Sequence, residues 1–143
     1  MAPAPGHPIE RLDFIYMPSA DVEGDLGHWV AGLGAEPLFA IEAFETRVAA
    51  VRVGEGRPLL VLAGHLEGDA PILVFRTADL ETCLRDLEGR GIETAERFEI
   101  PPGPCATLRV PGQRIAVYER TRSVIEDRLT GRFDFGPAAG DAD

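Results

Sequence analysis

The chain has 143 residues, 45% of them hydrophobic, and a formal net charge of −10. That length suits one ordinary domain, or two small modules sharing a core, and the hydrophobic share exceeds what a disordered chain carries. The acidic balance argues against a nucleic-acid partner, and a sequence without Lys or Asn excludes a Schiff-base lysine and a P-loop lysine.

No apolar run approaches the roughly 18 residues of a membrane helix, so no membrane partner is expected. MAPAPGHPIE lacks the basic and apolar regions of a secretory signal, which points to a soluble cytoplasmic protein. Residues 1–10, including His7, read as a flexible arm. Leu12 to Met17 (LDFIYM) has the length and apolar character of a strand. Asp21 then caps a helix whose apolar residues, Val22, Leu26, Trp29, Val30 and Leu33, recur at helical spacing. Gly34 suits its C-terminal cap, and Gly24 and Gly27 weaken it. Strand-like runs follow at Pro37–Phe44, Thr46–Val53 and Pro58–Ala63, the last two separated by the turn Gly54-Glu55-Gly56.

After the polar connection Gly64–Ala70 the order begins again. Ile72–Arg76 reads as a strand. Asp79 caps a helix with an inner face of Leu80, Cys83, Leu84 and Leu87, ended by Gly89 and Gly91. Strands are expected at Glu93–Ile100, Cys105–Val110 and Arg114–Glu119, with a turn at Pro111-Gly112. TADLETCL (Thr77–Leu84) repeats SADVEGDL (Ser19–Leu26) with Ala, Asp, Glu and the final Leu unchanged. The spacing therefore predicts a duplication, with βαβββ modules at residues 11–63 and 71–119. A helix covers one face of each four-stranded sheet and leaves the other face to be enclosed. Residues 120–143 form a C-terminal extension, with a short amphipathic turn at Val124, Ile125 and Leu129 and apolar anchors at Phe133 and Phe135. Its last eight residues are expected to be mobile.

Three stretches, SADVEGDLGHWVAGLGAEP, ILVFRTADLETCLRDLEGRGIE and GPCATLRVPGQRIAVYE, together resemble the vicinal oxygen chelate superfamily, the glyoxalase/bleomycin-resistance/extradiol-dioxygenase fold. His28-Trp29 stands where that family usually has Phe-Tyr, and Leu33-Gly34 follows. Val110 to Glu119 resembles the family's D-P-x-G-N-x-x-E-L-x-E. The resemblance covers about residues 11–119. It implies an α+β fold in which two βαβββ modules form a curved, largely antiparallel mixed sheet around a cavity.

The resemblance also implies metal-ligand positions on the first and last strand of each module. Counting back from Asp21 puts the first on Phe14, or on Asp13 if the junction is one residue longer. Counting back from Asp79 puts the next on Ile72 or Pro71. The last strand of the first module offers Leu59, Leu60 and Val61, and the usual Glu of the final strand is Ala116. Of these only Asp13 has a donor, whereas a catalytic metal wants about three protein ligands. No metal and no cofactor is expected.

Strand alternation places Phe14 with Tyr16, Ile72 with Val74 and Arg76, and Ala116 with Tyr118. These faces make either an apolar, aromatic pocket for a small molecule or a filled core. His65, in AGHLEG, is a candidate to overhang such a pocket. His28 reads as helix surface. Cys83 and Cys105 have neither C-x-x-C nor zinc spacing, and both read as buried structural thiols. Glu99 and Glu119 are strand carboxylates, and Arg47, Arg52 and Arg76 are possible anion clamps; solvated placement is the ordinary alternative for all five. The expected function is metal-independent binding of an apolar or aromatic small molecule, with a metal-independent isomerase or lyase using His65, Glu99, Glu119 or Tyr118 as the alternative. The expected assembly is a homodimer.

Overall fold

The computed structural model describes residues 8–43 and 45–139. His7 with the start of the arm, the Phe44 end of one expected strand, and residues 140–143 lie outside them. The chain divides into two compact units. One holds the chain up to Asp13 together with Ile72–Val124. The other holds Phe14–Pro71 and Ile125–Asp143.

The strand β1 (Arg11–Pro18) starts in the unit of the second module and ends in that of the first. The first module continues with helix α1 (Val22–Gly27), strand β2 (Glu36–Ala43), β3 (Thr46–Arg52) and β4 (Leu59–Ala63). The second contains β5 (Ile72–Thr77), α2 (Leu80–Gly89), β6 (Thr94–Ile100), β7 (Gly103–Val110) and β8 (Gln113–Glu119). The class is α+β, with the repeated βαβββ order. In the first module the strands run β2-β3-β4-β1, and in the second β5-β8-β7-β6. Each is antiparallel apart from one parallel pair, β1 with β4 and β5 with β8.

Both caps form as the repeat predicts. The Asp21 carboxylate accepts from Gly24 N at 3.0 Å and Asp79 from Thr82 N at 3.0 Å, each satisfying a helix donor that has no partner within the helix. The first helix departs from expectation after Gly27. It continues as a π-helical turn, His28–Gly32. The wider turn shifts the later residues around the axis, so Leu33, expected on the inner stripe, is 63% exposed. Gly34 does end the segment, with φ at 72°.

In the first module Val22 and Leu26 of α1 pack with Ala40, Ala49, Val51 and Leu62, and Met17, Trp29, Val30 and Leu60 close around them. The C-terminal extension completes this core. After a π-helical turn (Ile125–Leu129) it runs along β2: Ala40 N donates to Arg132 O at 2.9 Å, and Glu42 N to Asp134 Oδ2 at 3.0 Å. Phe135 is buried in the cluster and Phe133 packs against it. In the second module Leu80, Cys83, Leu84 and Leu87 of α2 pack on Ala106, Leu108 and Val117, with Phe75 and Ile115 alongside. Among the described residues no helix is long and apolar enough to cross a membrane.

Candidate functional site

In the second module Phe75, Ile115 and Val117 face the helix, so alternation turns Val74, Arg76, Ala116 and Tyr118 to the opposite face. Register brings them together as pairs, Val74 beside Ala116 and Arg76 beside Tyr118. Cys105 lies beside Tyr118 on the next strand. Burial pushes the Cys105 thiol up to about 12, which makes it an inert packing group. Val74, Ala116 and Tyr118 are all buried.

The Tyr118 hydroxyl donates to the carboxylate of Asp13, which is wholly buried. The Arg11 guanidinium donates to the same carboxylate at 2.6 Å. Arg76 lies next to the chain's N-terminal segment. Glu10 N donates to Arg76 O at 2.8 Å, Thr77 Oγ1 donates to Pro8 O at 2.7 Å, and the Glu10 carboxylate sits 3.3 Å from Arg76 Nε. Asp13 enters the sequence reading only as a possible metal ligand. Its phenol partner lies at the far end of the module in chain order, and no local pattern marks the pair.

In the first module the face away from α1 carries Phe14, Tyr16, Leu59, Val61 and Ala50, as the β1–β4 and β3–β4 registers require. Phe14 and Tyr16 meet edge to face, with ring centroids 6.1 Å apart. The Arg57 guanidinium lies over the Phe14 ring, 5.2 Å from its centroid, and donates to Glu126 at 3.1 Å. Nothing in the spacing around Arg57 singles it out in the sequence.

The other candidates fall away from these faces. His65 is exposed in the turn leaving β4, and His28 is exposed on the π-helical turn. Ile72 is half-buried at the start of β5. The Glu119 carboxylate accepts from Leu80 N at 2.9 Å and so helps to cap α2, while Glu99 pairs with Arg122 at 2.7 Å. Arg52 pairs with Glu36. Arg47 lies between Glu23 and Glu42, with its guanidinium 4.7 Å from the Phe135 ring centroid. It borders an open cleft of about 570 Å³ with Ser19, Asp21, Thr46 and Gly64. Of the acids lining that cleft, Glu23 and Glu42 pair with Arg47 and Asp21 caps α1. Burial raises the Cys83 thiol pKa.

No family model and no curated protein matches the chain. Solved structures do. A methylmalonyl-CoA epimerase from Mycobacterium tuberculosis superposes with a TM-score of 0.69 at 15% identity, covering 85% of this chain and 95% of that one. A methylmalonyl-CoA epimerase in complex with methylmalonyl-CoA and NH4+ gives 0.64 at 17% identity, with 79% and 96% covered. A Streptomyces coelicolor methylmalonyl-CoA epimerase variant holding 2-nitronate-propionyl-CoA gives 0.63 at 16%, with 80% and 99% covered. The chain has the vicinal oxygen chelate fold.

The vicinal oxygen chelate metal does not fit the side chains present. Phe14, the Leu59–Val61 run, Ile72 and Ala116 offer no donor atoms beyond their backbone, and Asp13 is taken up by Arg11 and Tyr118. Among the described residues no three His, Cys, Asp or Glu side chains gather closely enough to hold an ion. In the first module the Arg57 guanidinium lies over the Phe14 ring, which likewise offers no donor.

Proposed function

We propose that the chain is a metal-independent isomerase. It holds a small organic molecule with an apolar or aromatic body on the sheet face marked by Tyr118, Ala116 and Val74, and moves a proton on it. The observation that carries the reading is the Tyr118–Asp13 pair. A carboxylate taken wholly out of water and bound to a phenol is costly to build, and such groups concentrate at functional sites. The chemistry balances without a metal. When the ligand's carbonyl oxygen takes the Tyr118 hydroxyl away from Asp13, the freed carboxylate oxygen takes a proton from the carbon beside that carbonyl, and the electron pair moves to the carbonyl oxygen. The Tyr118 hydroxyl donates to that oxygen, and the proton then returns to carbon. Epimerases among the fold neighbours support this class of reaction.

A second reading, a sequestering protein of the bleomycin-resistance type, draws on the apolar and aromatic side chains of Tyr118, Ala116 and Val74; such a protein grips its ligand without chemistry. Ile72 and Arg76 belong to the proposed ligand face in either reading. A cytoplasmic homodimer remains part of the proposal, although Phe133 and Phe135 pack in the chain's own core and give it no support.

Deuterium incorporation in D2O with EDTA present separates the readings, with methylmalonyl-CoA as the first probe and short 2-substituted acids after it. Incorporation that Tyr118→Phe and Asp13→Asn both abolish is the expected result. No incorporation, with a small molecule recovered intact from the purified protein, favours sequestration.

A further inference from the structure

Arg76 differs from Arg97 and Arg122. Arg97 and Arg122 donate in line to carboxylates. Arg76 Nε is buried and makes no hydrogen bond to any described residue. The Glu10 carboxylate lies within ion-pair distance, 3.3 Å, but off the N–H direction. Charge is therefore neutralised while a desolvated donor goes unused, an arrangement that penalises the state in which it occurs.

The carboxylate that sits there comes from the segment leading into β1, whose Ile9 packs against the second-module core. Residues 8–10 are tied to β5 by the Glu10 N to Arg76 O and Thr77 Oγ1 to Pro8 O bonds. Beside Arg76 the sheet face offers the phenol of Tyr118, then the small apolar side chains of Val74 and Ala116. A planar anion of two oxygens, lying in the guanidinium plane, satisfies Nε and a terminal nitrogen together, which Glu10 does not achieve. A dianionic phosphate is a poorer match for a single guanidinium on a chain of net charge −10.

We propose that Arg76 recognises the carboxylate of an apolar acid, and that Glu10 is the intramolecular placeholder this carboxylate displaces. The proposal rests on the reading that the second-module face holds a small molecule. It adds the ligand's charge and a competitor built into the chain: binding frees the Glu10 carboxylate as the ligand takes the guanidinium.

The test uses the full chain labelled with 15N, benzoate as probe and benzamide as its neutral counterpart. Benzoate should move the Arg76 Nε–H resonance, identified by its loss in Arg76→Gln, and benzamide should not. Glu10→Gln, which removes the competing charge, should tighten benzoate by about threefold or more. Arg76→Gln should weaken it by roughly tenfold or more. Benzoate binding that is unchanged in both variants, or matched by inorganic phosphate, overturns the proposal. If both probes shift the Val74 and Ala116 amides while the Arg76 Nε–H stays still, the face keeps its binding role and Arg76 loses its own. Shifts absent for both probes, in the parent and in Glu10→Gln, remove both.

Discussion

The hydroxyl of Tyr118 and the carboxylate of Asp13 form a buried bond between the last strand of the second module and the start of β1. Removing the donor leaves the carboxylate still buried. Tyr118→Phe should therefore lower unfolding stability by about 1–3 kcal/mol, the usual cost of losing one hydrogen bond to a buried charged group, with Arg11 still paired to Asp13. Urea denaturation checks this. A variant as stable as the parent would mean that the bond carries no folding energy.

Glycine substitutions should split by what a Cβ meets. At Gly103 a Cβ falls 2.0 Å from the backbone oxygen of Glu119, which has no flexible end to swing away. Gly103→Ala should destabilise strongly or block folding. Gly27 has helical backbone angles and open space around it, so Gly27→Ala should stabilise by about 0.5–1 kcal/mol. Thermal melts of the two variants provide the comparison.

Phe135 is 6% exposed in the first-module core, below the Arg47 guanidinium. Phe135→Ala should cost about 3–5 kcal/mol. Exposed Leu33 should tolerate Leu33→Ala with little change. Chemical unfolding of both variants tests the difference, and equal losses would contradict the packing.

The Asp79 carboxyl is held below its ordinary pKa of 3.8, chiefly by the backbone N–H of Thr82. A carboxyl depressed by folding adds stability that is fully present above its unfolded pKa. That stability is lost as pH falls through the lower folded value. Asp79→Ala should therefore destabilise at neutral pH and make little difference once the medium is acid enough to protonate the native carboxyl. Melting temperatures from pH 7 down to the acid transition show this as convergence of parent and variant.

Metal analysis of protein purified without chelator should find well under one equivalent of Zn, Ni, Fe or Mn. A stoichiometric ion held by side chains of the sheet faces would mean that the donor set had been misread.

Local patterns make much of the fold legible in sequence. Asp21 and Asp79 announce their helices because a cap acts within three residues of itself. The βαβββ order follows from short apolar runs and glycine turns. Contacts between residues far apart in sequence are not legible this way. Tyr118 can be assigned a face by alternation, but not its bond to Asp13. Arg57 finds Phe14 and Glu126 only once β4 lies beside β1 and the extension has folded back. The π-helical turn is hidden for a different reason. His28-Trp29-Val30-Ala31-Gly32 carries no residue that forbids an ordinary helix, and only the displaced Leu33 reveals the wider turn.

The C-terminal extension, through Phe135, supplies part of the first module's core, so that module is assembled from residues 14–71 together with residues beyond 124. A ribosome makes β1 to β4 first, yet the residues that finish their packing emerge only after the whole second module. Through most of synthesis the first module waits with an apolar gap and an unpaired β2 edge, the state in which nascent chains are most prone to stick to one another. The second module has its four strands and helix complete by Glu119. Order of synthesis and order of completion therefore run in opposite directions, and a nonsense or frameshift lesion beyond Glu119 would damage the half of the protein that was translated first.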